Sequence, residues 1–125
     1  MASYRDLRAW QHAKRLSVEI GKAVQHFPEE ERLALAEQLR RAAYSVALNI
    51  AEGASRRGSK EFRRFLDTAR GSLSEVQTAL EIADEMGYLP EGEYERLDAI
   101  ATETAKTTWG LLRKITDSMK RSSIS

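Results

Sequence analysis

Residues 33–53 read LALAEQLRRAAYSVALNIAEG, and this stretch decides the fold. Leu35, Leu39, Ala42, Ala43, Val46 and Ile50 recur at helical spacing and form one apolar face of an α-helix. Leu33, Tyr44, Ala47, Leu48 and Ala51 make a second apolar face. Between the two runs a polar stripe of Gln38, Arg41, Ser45, Asn49 and Glu52. A helix apolar on two sides is ordinarily buried on two sides, and a small bundle can cover only one of them. The second face is therefore expected to meet another copy of the chain. The plainer reading is a scatter of surface apolars, which is common. Trp109, off the main stripe of its own segment beside Ala105 and Leu112, is expected to join the same contact.

The same period continues on both sides of this stretch. Upstream, Trp10, Ala13, Leu16, Ile20, Val24 and Phe27 mark a helix over about residues 6–26. Phe27-Pro28 ends it, because the residue before proline is pushed out of the α region. Pro28 then opens the second helix, expected over 29–53, where a missing N–H costs nothing. Glu29, Glu30 and Glu31 suit the positive end of its dipole. Gly53 to Gly58 is expected to break it, with Ser59 as N-cap of a third helix over 59–86. Phe62, Leu66, Ala69, Leu73, Val76, Leu80 and Ala83 form the third stripe, and Gly87 sits where a left-handed C-terminal cap belongs. After the turn Tyr88-Leu89-Pro90, a fourth helix over 91–119 shows Tyr94, Leu97, Ala101, Thr104, Thr108, Leu111, Ile115 and Met119. Lys120 to Ser125 is expected to fray. No alternating, β-branched run suggests a strand. The expectation is one all-α domain over 1–125, an antiparallel, up-down-up-down four-helix bundle.

Several chemistries are excluded by what is missing. With no cysteine there is no disulfide, thiolate nucleophile or Cys-based zinc site. No apolar run approaches the ~20 residues that span a bilayer, so no membrane partner is expected. The opening MASYRDLR lacks an apolar signal core, which makes the cytoplasm the expected location. A di-iron bundle needs Glu-x-x-His on two helices. Ala9 and Ala23 stand three residues before His12 and His26, so neither a metal site nor another cofactor is expected. Residues 53–60, GASRRGSK, depart from the P-loop pattern: Lys and Ser are transposed, and the segment follows a helix rather than a strand. What survives is a candidate anion seat of glycines and helix-start N–H groups, with a plain helix–loop–helix turn as the alternative. GSLSE, residues 71–75, does not fit G-x-S-x-G and lies within a helix. No enzymatic activity is expected.

The net charge of +1 conceals a strong asymmetry. Residues 40–64 carry Arg40, Arg41, Arg56, Arg57, Lys60, Arg63 and Arg64 against Glu52 and Glu61. Residues 75–103 carry nine acids against Arg96 alone. An antiparallel bundle sorts these in space. One end collects Arg5, Arg8, Arg56, Arg57, Lys60, Arg63, Arg64, Lys120 and Arg121; the other collects Glu29 to Glu31, Asp84, Glu85, Glu91, Glu93 and Glu95. The basic end is expected to attract the phosphates of RNA or DNA, more weakly as salt rises. Arg5, Arg8, Arg56, Arg57, Lys60, Arg63 and Arg64 are the expected contacts. Phe62 and Phe65 are assigned to packing, which leaves backbone recognition with little sequence preference. The alternatives are charges that only solubilise, or opposite ends that pair between molecules.

DLRAWQHA, FPEEERLALAEQLRRAAYSVALNIAEGASRRGSKEFRRFL, ARGSLSEVQTAL and MGYLP, in this order, resemble the 23S-rRNA-intervening-sequence protein family of bacterial four-helix bundles. The core pattern Q-L-R-R-A-A-x-S-x-x-x-N-I-A-E-G carries the resemblance. Val46-Ala47 departs from it where relatives often have Ile-Pro, which removes a kink from the second helix. The family is similar to the accessory variability proteins of diversity-generating retroelements, which form pentameric barrels and bind a reverse transcriptase and nucleic acid. The resemblance implies a homopentamer with no established enzymatic activity. It also keeps open a second reading, a scaffold or accessory subunit of a nucleic-acid enzyme such as a reverse transcriptase. The shared polar positions Gln38, Arg41, Ser45, Asn49 and Glu52, with Glu75 opposite, are expected to satisfy one another between helices rather than touch a ligand. Arg41 is expected near Glu75 and Asn49 near Arg63.

Overall fold

The computed structural model describes residues 3–124. Four helices carry the fold: α1 Arg8–Val24, α2 Leu35–Ser55, α3 Ser59–Glu85 and α4 Glu93–Ile124. A 3-10 turn, Tyr4–Asp6, precedes α1, and another, Glu29–Glu31, lies between α1 and α2. Each helix packs against the next, α4 closes against α1, and the diagonal pairs α1/α3 and α2/α4 stay apart. Among the described residues there is no strand. The molecule is the all-α four-helix bundle that the periodicity predicts.

The apolar stripes meet in one core. Leu16 and Ile20 of α1, Leu39, Val46 and Ile50 of α2, Leu66, Val76 and Leu80 of α3, and Leu97 of α4 are fully buried. Buried alanines, among them Ala13, Ala43, Ala69 and Ala101, bring the backbones close. Thr104 and Thr108 are also fully buried, because their methyl groups continue the α4 stripe. The Thr104 hydroxyl donates to the Ile100 carbonyl at 2.8 Å. The Thr108 hydroxyl has no partner among the described residues.

The ends of the helices depart from the periodic reading. The second helix starts at Leu35 rather than near 29, because Ala34 (φ −121°, ψ −105°) leaves the helical region. Glu31 spans the gap: one carboxylate oxygen accepts the Leu35 N–H at 3.3 Å, and the other accepts the Tyr88 hydroxyl at 2.7 Å. That hydrogen bond to a carboxylate raises the Tyr88 pKa above 10. At its other end α2 runs through Gly53 to Ser55, so Gly53 does not break it. A Cβ at Gly53 would stand 2.8 Å from the Phe65 Cβ and 2.9 Å from Phe62 Cδ1. Gly53 is there for the close approach of α3. The break falls at Gly58 (φ +90°), which also takes the N-cap position expected of Ser59.

Gly87 (φ +77°) does cap α3. The Gly87 N–H donates to the Asp84 carbonyl and the Tyr88 N–H to the Ala83 carbonyl, the paired bonds of a Schellman motif. Helix α4 continues past residue 119 to Ile124, so Lys120 to Ile124 do not form a loose tail, while Ser125 lies outside the described residues. Its 32 residues make it about 48 Å long.

Candidate nucleic-acid interface

The start of α1, the end of α2, the start of α3 and the end of α4 share one end of the bundle, and most of the expected basic residues gather there. The N-terminal turn packs on the end of α2 and leaves a cleft lined by Ser3, Tyr4 and residues 54–58. Arg5 lies over the Tyr4 ring at 4.7 Å, and its backbone N–H donates to Ser3 Oγ. Arg56 is ion-paired to Glu52 and lies 5.4 Å from the Phe65 ring centre. Arg64 pairs with Glu61 at 3.1 Å and covers the same ring at 4.5 Å. The Arg64 hydrogen bond holds the Glu61 carboxyl below its ordinary range, and Glu61 in turn raises Arg64. Arg56 and Arg64 are thus partly neutralised. Arg8, Arg57, Lys60 and Arg63 are exposed, and their side chains make no hydrogen bond or ion pair with the described residues. No side chain caps the start of α3, whose N-cap Gly58 also lines this cleft.

The polar stripe of α2 runs along its seam with α3. Gln38 Nε2 donates to Glu75 Oε2 at 3.2 Å. Ser72 Oγ donates to Ser45 Oγ at 2.8 Å, and Asn49 Nδ2 donates to the Ser45 carbonyl at 2.8 Å. Glu52 turns to Arg56. Two expected neighbours do not meet: Glu75 is taken by Gln38 rather than Arg41, and Asn49 turns along its own helix rather than toward Arg63. Each shorter side chain reaches a partner within one turn or directly across the seam. Arg41 is left exposed.

The second apolar face of α2 resolves into parts. Leu48 is 67% exposed and Tyr44 45%, while Ala47 and Ala51 are half-buried. Leu33 precedes α2, so it does not share the helical face with Tyr44 and Leu48, though it is 79% exposed. Tyr44 lines the α1–α2 groove with Val18 and Gly21. Val18 is an exposed apolar residue that the stripe reading passes over, because it is a lone apolar on the polar side of α1. Trp109 lies elsewhere: α4 is diagonal to α2, and the indole faces the α3–α4 groove beneath the Arg70 guanidinium, 4.4 Å away. Within one chain, Trp109 and Tyr44 do not share a surface.

At the opposite end Arg96 of α4 pairs with Glu93 at 2.6 Å and with Glu19 of α1 at 2.7 Å. Its hydrogen bonds hold both carboxyls below the usual range, and the two carboxylates raise Arg96. Burial, with Asp98, Glu81 and Asp84 nearby, raises the Tyr94 phenol. Among the described residues no three His, Asp or Glu side chains are grouped to hold a metal ion, and no helix is long and apolar enough to cross a membrane.

The family model of the 23S rRNA-intervening sequence proteins matches residues 5–110, which includes all of α1, α2 and α3 and the first half of α4. The chain belongs to this family. The intervening-sequence match ends just after Trp109, short of the last basic turns of α4. Among solved structures the chain is similar to a protein of unknown function from the S23 ribosomal protein family of Bacteroides thetaiotaomicron VPI-5482. The TM-score is 0.78 at 20% identity, over 84% of this chain and 95% of that one. That likeness bears on the fold alone. No curated protein matches this member of the intervening-sequence family.

Proposed function

We propose that this intervening-sequence protein is a non-catalytic, cytoplasmic protein that binds the phosphate backbone of nucleic acid through its basic end. One observation carries the reading. Arg8, Arg57, Lys60 and Arg63 stand exposed and unpaired at the end where Arg5, Arg56 and Arg64 also lie, while the acids concentrate at the far end. Cations held without internal partners keep their full charge for an external phosphate. Copies associate through the α1–α2 face around Tyr44 and Leu48, and the family resemblance implies five of them. A ring would set the basic ends on one rim and multiply weak phosphate contacts by avidity.

Filter binding or anisotropy with RNA and duplex DNA across a salt series tests the reading. Affinity is expected to fall steeply with salt. Arg57→Glu combined with Lys60→Glu should weaken binding uniformly across sequences and reduce the salt slope by about one per lost contact. Absence of salt-sensitive binding to either nucleic acid at low ionic strength would overturn it. A protein that instead captures only a nucleic-acid enzyme, with no RNA or DNA affinity of its own, would be the accessory subunit.

A further inference from the structure

The basic end lacks an exposed ring for a base, but a neighbouring groove has one. Between α3 and α4 lies a groove of about 400 Å³ whose lining includes Arg63, Arg70, Trp109, Arg113 and Lys120. Arg63 and Arg70 stand seven residues apart on α3, as do Arg113 and Lys120 on α4. Seven residues are close to two helical turns, so each pair lies on one line along its helix, about 10.5 Å apart. Cations thus edge both walls of the groove at a repeated interval. Asp67 and Asp117 interrupt them, and Asp67 is 3.9 Å from Arg70. Trp109 is 46% exposed, an unusual placement for so large an apolar ring. The Arg70 guanidinium, parked on it at 4.4 Å, shows that the indole accepts a flat, delocalised group. Arg63 belongs both to this groove and to the unpaired cations of the basic end, so the two surfaces are continuous.

The geometry points to the α3–α4 groove as a track for single-stranded RNA or DNA, in which an unpaired base stacks on Trp109 while Arg63, Arg70 and Arg113 meet the flanking phosphates. The inference rests on the nucleic-acid reading above and narrows it to the strand state. Arg70 has a flexible stem, so it gives up the ring to the base and turns onto a phosphate. A duplex keeps its base faces stacked inside and has none to offer the indole. Sequence preference stays low, because every base has a π-face.

The chain has two tryptophans, which makes the test direct. Trp10, packed edge-on against Tyr4, is replaced in Trp10→Phe so that Trp109 alone emits. Oligo-dT is titrated at low salt against a duplex of the same length. The single strand should quench Trp109 and the duplex should not. In the otherwise unchanged chain, Trp109→Ala should weaken oligo-dT binding about tenfold or more and leave duplex binding within about twofold, with Trp109→Phe close to wild type. Equal quenching by duplex, or oligo-dT binding untouched by Trp109→Ala, overturns the inference and leaves backbone binding standing. Failure of both nucleic acids to bind overturns the reading beneath it as well. A changed light-scattering mass for Trp109→Ala assigns the indole to a contact between copies and overturns the track.

Discussion

Gly53, in the last turn of α2, and Gly71, in the middle of α3, are both helical glycines, and their surroundings give them opposite roles. A methyl group at Gly53 would press on the side chains of Phe62 and Phe65, whereas one at Gly71 meets nothing within 4 Å. Gly53→Ala should therefore destabilise the bundle by about 1–3 kcal/mol through overpacking. Gly71→Ala should stabilise it by about 0.5–1 kcal/mol, because alanine loses less backbone entropy in a helix. Urea midpoints compare them, and equal stabilities would refute the close-approach role of Gly53. Thr108 offers a complementary case. Its hydroxyl is buried without a partner, so Thr108→Val should raise stability by about 1 kcal/mol, and a lower midpoint would show that the hydroxyl is satisfied. These roles were not legible in the sequence. A period of three and four places Gly53 and Thr108 on faces, but it does not say which atoms approach them. The same holds for the seam, where the pattern groups Gln38, Arg41, Ser45 and Asn49 on one stripe yet cannot choose between Gln38 and Arg41 for Glu75.

Helix faces were legible because burial follows the period directly, and helix ends were not because partners far along the chain set them. The start of α2 depends on Glu31, whose second oxygen holds Tyr88, 57 residues away. The start of α4 is tied to α1 by Arg96, 77 residues from Glu19. Neither pairing leaves a local mark in the sequence. Gly87, whose role is local, was legible. The Arg96 clamp sets a pH dependence. Folding lowers the carboxyl pKa values of Glu19 and Glu93, so the stabilisation is whole above their ordinary 4.5 and fades as pH falls through the lowered values. Thermal melts should show the wild type losing more stability than Arg96→Met between about pH 6 and about pH 3. At neutral pH the substitution should cost about 1 kcal/mol or less, because the guanidinium is 43% exposed and screened by water. An identical acid profile for the two proteins would remove the clamp from the balance.

At the scale of the molecule, the antiparallel topology converts a charge pattern along the chain into a pattern in space. The basic end was legible for that reason: once four helices alternate in direction, residues 56–64 and the chain's first turn must lie together. The outer face of α2 was legible only in part. Tyr44 and Leu48 lie where the second stripe places them, whereas Leu33 precedes the helix and Trp109 faces another groove. Val18, across the α1–α2 groove from Tyr44, extends the apolar face beyond what α2 shows alone. Burying ~500 Å² of apolar surface per copy would contribute on the order of 12 kcal/mol before association costs. If this face joins the copies, light scattering at micromolar concentration should give a mass well above the 14.1 kDa of one chain. Tyr44→Glu combined with Leu48→Glu should return the mass to 14.1 kDa with the helices intact, since both side chains point away from the core. Each new carboxylate would have to be buried unpaired in the contact, which costs far more than the apolar contact it replaces. A single-chain mass for the unmodified protein would sink the prediction. An unchanged large mass for the double variant would instead move the contact away from α2.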